Sequence, residues 1–164
     1  MFITFEGPEG GGKTSQISRL AARLKDNPDD VAGWLKLGRS YTVLENFEKA
    51  ADAYGEAAKR RPNDIKTQSL YARALAHATG PGQPLSARAE SVLKQLLEMD
   101  ANNAEALWYL GLNAVILRQP EQAVTYWERL LAHTDPSSPE HKNLSAAIAQ
   151  IKKRQAPPAK STSQ

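Results

Sequence analysis

The sequence predicts an all-α protein: a superhelix of three helix hairpins plus a capping helix, preceded by a short strand, a glycine loop and a helix. Three observations carry this reading. Aromatic, glycine and alanine markers recur at a period of about 34 residues. Apolar residues keep helical spacing from Asn27 onward, with no second strand-like run. The composition also changes abruptly near Leu24. The expected organisation is a leading fragment over residues 1–24, a repeat domain over 25–154 and a disordered tail over 155–164.

The leading fragment is read from three adjacent signals. Phe2, Ile3 and Phe5 form a short apolar run suited to a buried strand, Gly7 to Gly12 interrupt regular structure, and Ile17, Leu20, Ala21 and Leu24 recur at helical spacing. The expected helix runs from Thr14 to Lys25. Between strand and helix, Gly7-Pro8-Glu9-Gly10-Gly11-Gly12-Lys13-Thr14 satisfies the phosphate-loop spacing G-x-x-x-x-G-K-[ST]. In such a loop, backbone N–H groups at Gly10, Gly11 and Gly12 would face phosphate oxygens. Lys13 would meet the outer phosphates and Thr14 would hold Mg²⁺.

In the repeat region Trp34, Leu37, Gly38, Tyr41, Ala50, Tyr54, Ala57 and Pro62 reproduce the tetratricopeptide markers. Leu110, Gly111, Ala123 and Trp127 restate them, with Pro136 one place late. A degenerate copy between them carries Tyr71, Ala72, Leu75, Ala89, Leu93 and Leu96. The marker alanines Ala50, Ala89 and Ala123 are 39 and 34 residues apart. The five additional residues are assigned to TGPGQPL, residues 79–85, as a lengthened turn inside the middle repeat. Gly38, Ala57 and Gly111 are expected where helices approach closely, and Trp34, Tyr41, Tyr54 and Trp127 where gaps are filled. Leu144, Ala147, Ile148 and Ile151 make one stripe of the capping helix, Pro139 to Arg154. Ser138, with Ser137 three residues before Glu140, supplies its N-cap.

Composition excludes several chemistries. The 164 residues carry no cysteine, so disulfides, thiol catalysis and cysteine-ligated zinc are ruled out. The net charge of +3 owes much to Lys152, Lys153, Arg154 and Lys160 in a polar end, a solubilising pattern rather than a nucleic-acid arm. His77, His133 and His141 form no helical ligand pair, and no metal is expected. No apolar run reaches the roughly 20 residues of a membrane span, and no secretory leader is evident, so the chain as encoded is expected in the cytoplasm.

Two resemblances sharpen these expectations. FITFEGPEGGGKTSQISRLAARL is similar to the N-terminus of thymidylate kinase, which implies an ATP phosphate site at Gly10, Gly12, Lys13 and Thr14 and transfer to dTMP. The further strands, Mg²⁺-positioning acid, nucleoside pocket and basic lid that phosphoryl transfer requires are absent from the sequence. No resident cofactor is therefore expected, weak ATP–Mg²⁺ binding being the most the loop offers, and the kinase stands as a truncated, inactive alternative. Residues 25–154 resemble the tetratricopeptide domain of cytochrome c-type biogenesis proteins. The carrying residues include Asn27-Pro28-Asp29-Asp30, Leu37-Gly38-Arg39-Ser40-Tyr41, Arg61-Pro62-Asn63-Asp64, Ala106-Leu107-Trp108 and Tyr126-Trp127-Glu128-Arg129. That resemblance implies a module that captures the C-terminal helix of apocytochrome c and works with haem-ligation subunits outside the inner membrane, doing no chemistry itself.

Helical register places a peptide groove on the first helix of each hairpin: Leu35, Arg39 and Val43, then Lys66, Ser69, Arg73 and His77, then Trp108, Leu112 and Val115. Arg39 and Arg73 would clamp anions and Trp108 would anchor the ligand. The alternative assigns the arginines to neighbouring acids and Trp108 to the core.

Overall fold

A computed structural model of the chain describes residues 8–155 as eight helices: α1 (Pro8–Asp26), α2 (Val31–Val43), α3 (Phe47–Arg60), α4 (Ile65–Ala78), α5 (Ala87–Met99), α6 (Ala104–Ile116), α7 (Pro120–Leu131) and α8 (Pro139–Gln155). They form two compact units that divide at Ala78/Thr79. In the first, α1 packs on α2, α2 on α3 and α3 on α4; in the second, α5 packs on α6, α6 on α7 and α7 on α8.

Side-chain caps set most helix starts. Gly33 N–H donates to Asp30 (2.8 Å), Lys49 N–H to Asn46 (3.2 Å), Ala89 N–H to Ser86 (3.2 Å) and Ala106 N–H to Asn103 (3.0 Å). Asp64 caps α4 through the Thr67 amide at 3.2 Å and also accepts from the buried Thr67 hydroxyl. These bonds, the hydroxyl's first, hold the Asp64 carboxyl below its ordinary range. Their contribution to stability is present above the unfolded carboxylate pKa of about 3.9 and is lost as pH falls through the lower folded value. Ser138 caps α8 as its position predicts, donation coming from His141 N–H at 3.1 Å. Ser137 instead donates to Asp135 at 2.8 Å.

Two helix ends carry a feature that the sequence conceals. After α2, Glu45 adopts φ 55°, and after α6, Arg118 adopts φ 57°. The two turns close alike: Asn46 N–H donates to Tyr41 O and Gln119 N–H to Ala114 O, at 2.9 and 2.8 Å. This is the left-handed helix stop that usually takes glycine. The strain costs about 1–2 kcal/mol for an ordinary residue, and glycine's larger unfolded-state freedom returns part of that. Glu45→Gly should therefore stabilise the protein by roughly 0.5–1 kcal/mol, read from urea unfolding. A lower midpoint would show that the Glu45 side chain contributes more than its backbone costs.

Close approach is made where the glycine markers predict it. A Cβ added at Gly38 would sit 2.6 Å from the Tyr54 ring, and one at Gly111 would overlap Nε1 and Cδ1 of Trp127. Tyr54 and Trp127 are buried, whereas Trp34 and Tyr41 are only half-buried, Trp34 donating its indole N–H to Pro28 O at 2.7 Å. The second unit's core joins Leu107, Val124, Trp127 and Leu130 to Leu144 and Ile148 of α8, with Ala147 and Ile151 packed beside them. The lengthened turn lies between α4 and α5, with Gly80 and Gly82 at φ 80° and 74°. The helices of the middle repeat thus fall in different units.

The N-terminal expectations need correction. The strand at Phe2 to Phe5 and Gly7 lie outside the described residues, as does the tail from residue 156. Gln155, expected in that tail, ends α8. No strand occurs among the described residues. Gly10, Gly11, Gly12, Lys13 and Thr14 lie within α1, so the glycine run is helical and does not form a phosphate loop. From Gly12 onward the amides of α1 have carbonyls one turn back as acceptors, so the amides of Gly12, Lys13 and Thr14 do not fold around a phosphate as a loop's would. The helix expected from Thr14 to Lys25 is part of α1, which begins earlier, at Pro8. Leu24 is fully buried against Leu37 and Ala53, and Ile17, Leu20 and Ala21 pack beside it.

Candidate functional site: two helix surfaces

On α6, Ala106, Leu107, Leu110, Gly111, Asn113 and Ala114 face the core. Trp108, Leu112 and Val115 are left on the opposite side, 44%, 37% and 40% exposed. Their i, i+4, i+7 spacing makes one apolar stripe about two turns long. Trp108 is braced from beneath. Its ring stacks on Trp127 with centroids 5.7 Å apart and planes at 21°, and Trp127 Nε1–H donates to Trp108 O at 3.3 Å. Trp108 is therefore both partly packed and partly exposed.

On α2, Leu37 and Gly38 turn inward, while Arg39 and Val43 are exposed and Leu35 is half-buried. Leu35, Arg39 and Val43 line a cleft of about 1060 Å³ between α1 and α2, whose other wall includes Lys13, Ile17, Arg19, Leu20 and Arg23. Lys13 therefore faces the same space as Arg39. On α4, Lys66 and Arg73 are exposed, Ser69 is half-buried, and His77 stacks on Phe47 with centroids 4.8 Å apart. The expected groove residues thus divide between the units: Leu35, Arg39, Val43, Lys66, Ser69, Arg73 and His77 in the first, Trp108, Leu112 and Val115 in the second.

Sequence reasoning missed Lys36 and Leu44, which also line the cleft, and Asn113. Asn113 is buried on α6, and its side-chain oxygen accepts from Leu85 N–H at 2.9 Å, tying the long turn to the helix. Its signal was available: an amide at a core-facing position of a helix needs a buried partner. Among the described residues no cluster of His, Asp and Glu is arranged to hold a metal, and no helix is long and apolar enough to cross a membrane.

A family model described as the cytochrome c-type biogenesis protein H TPR domain matches residues 17–141. The chain belongs to this family. Among curated relatives of this TPR domain, the cytochrome c-type biogenesis protein CcmH of Escherichia coli K12 is 30% identical over 87% of the chain, which spans 41% of that protein's length. The Haemophilus influenzae formate-dependent nitrite reductase complex bifunctional subunit NrfFG is 31% identical over 70% of the chain and 29% of its own length. Solved structures share the TPR fold at low identity. MamA superposes with a TM-score of 0.68 and 16% identity, covering 88% of this chain and 80% of MamA. The first TPR of Spaghetti (RPAP3), bound to an HSP90 peptide, gives 0.62 and 20% identity, covering 77% of this chain and 94% of that one.

Proposed function

We infer that this TPR domain is a protein-binding module of cytochrome c maturation, taking the C-terminal helix of apocytochrome c against α6 and presenting it to haem-ligation subunits. Family membership supports the process, and the stripe of Trp108, Leu112 and Val115 is the observation that carries the binding mode. An amphipathic ligand helix buries its own apolar face there while satisfying its backbone internally. Work of this kind belongs outside the inner membrane, in place of the cytoplasm expected from the sequence. It needs no resident cofactor. The thymidylate kinase alternative has no observation in its favour, since the glycine run is helical.

Titration with an apocytochrome C-terminal helix peptide should change tryptophan fluorescence. Truncating a central aromatic anchor typically costs about 2 kcal/mol or more, so Trp108→Ala should weaken binding at least tenfold. Leu112→Ala, which leaves the stacked pair intact, should weaken it by roughly threefold to tenfold. Unchanged affinity in both folded variants would remove α6 as the docking surface.

A further inference from the structure

The α1–α2 cleft lies wholly within the first unit and is not used by the α6 reading. Its walls are two helices, lined from Lys13 to Arg23 on one and from Ala32 to Leu44 on the other. At 1.5 Å per residue the walls run about 15 and 18 Å, roughly three helical turns. Apolar side chains include Ile17, Leu20, Leu35, Val43 and Leu44, of which Val43 is 78% and Leu44 51% exposed. Five cations also line it, Lys13, Arg19, Arg23, Lys36 and Arg39, and among the described residues no carboxylate does. Arg23 pairs with Asp30 at 3.2 Å; among the described residues the other four have no ion-pair partner.

We propose that this cleft docks an acidic amphipathic helix of a partner protein, with apolar residues on one stripe and Glu or Asp along its flanks. Three features select that occupant. Both walls are helices whose backbone groups are satisfied internally, so they offer an extended peptide no ladder to join; a helix brings its own hydrogen bonds. The apolar side chains give a free phosphate nothing, but receive a stripe of Leu or Ile. The cations match flanking carboxylates and disfavour a second copy of this chain, whose net charge is +3.

The test uses the full chain and a dye-labelled 15-residue peptide with a leucine stripe flanked by glutamates, alongside a twin carrying lysine for every glutamate. Anisotropy should show the acidic peptide binding at least tenfold tighter than its twin and weakening as salt rises. Lys36→Glu/Arg39→Glu should lower the affinity at least tenfold. Lys142→Glu/Lys153→Glu on α8 makes the same change in net charge and should alter it less than twofold. Amide shift changes should map to α1 and α2. Equal binding of the twin, shifts confined to α6, or indifference to the α2 double variant would overturn the proposal. So would displacement by inorganic phosphate at constant ionic strength, which identifies a small-anion site. Contacts from Phe2 or Phe5 to Val43 in the free protein, or a dimer broken by the α2 variant, would assign the cleft to the chain itself. The α6 titration with the apocytochrome peptide is a separate measurement, so either reading can fail without the other.

Discussion

Replacing Gly111 with leucine should prevent the second unit from folding, a larger effect than truncating any single core side chain there. A Cβ at Gly111 would lie on Nε1 and Cδ1 of Trp127, inside contact distance. The indole has little room to swing aside: it is buried in one core cluster with Leu107, Val124, Leu130, Leu144 and Ile148, and its N–H is committed to Trp108 O. Alanine isolates the clash. Gly→Ala gains about 1 kcal/mol of helix propensity, whereas overpacking a closed core costs about 1–3 kcal/mol. With backbone so close to a ring, overpacking wins, and Gly111→Ala should lose about 1–2 kcal/mol in urea unfolding. Leucine adds three further carbons with nowhere to go. Trp127→Leu vacates the contested space, so Gly111→Ala should be less harmful in that background, a coupling that a double-mutant cycle reads directly. An alanine variant as stable as the parent would show that the α6–α7 contact is looser than this packing requires.

The legible parts of this fold were those where one residue type has one physical use. Gly38 and Gly111 announced close helix contacts because any side chain there meets an aromatic ring. Leu144 and Ile148, with Ala147 and Ile151 beside them, announced the inward face of α8 because the rest of that helix is largely polar. Glu45 and Arg118 hid two helix stops, since the left-handed conformation is set by the hydrogen-bonded turn and carries no glycine to betray it. The glycine run misled for a related reason. A phosphate loop is a tertiary object that needs a strand before it and a sheet beneath it; without those among the described residues, Pro8 to Gly12 simply extend the helix begun by TSQISRLAARL. The candidate site was half legible. Helical phase alone placed Trp108, Leu112 and Val115 on one stripe. It could not reveal the α1–α2 cleft, because Lys13 and Arg39 come together only once α1 is known to pack on α2.

Leu24→Ala tests whether α1 is integral or merely attached. Leu24 is fully buried against Leu37 and Ala53, and it also meets the backbone of α2, where a Cβ on Gly33 would lie 2.6 Å from its Cδ2. Leucine-to-alanine changes at such sites cost about 2–5 kcal/mol, depending on how far the surroundings collapse. Here collapse is limited, since Leu37 and Ala53 are fixed by the α2–α3 contact. The other apolar residues of α1 packed on this cluster, Ile17, Leu20 and Ala21, are only half-buried. A 19-residue helix that begins with three glycines in its first five positions does not persist without packing. The loss should therefore be local: amide exchange throughout α1 rises toward unprotected rates, while α5 to α8 keep their protection. Binding of the acidic peptide should vanish with it, because one wall of its cleft is gone, whereas the α6 titration should proceed as in the parent. Retained protection of α1 in the Leu24→Ala protein would mean that something other than this leucine holds the helix, and the packing argument for the first unit would have to be rebuilt from that contact.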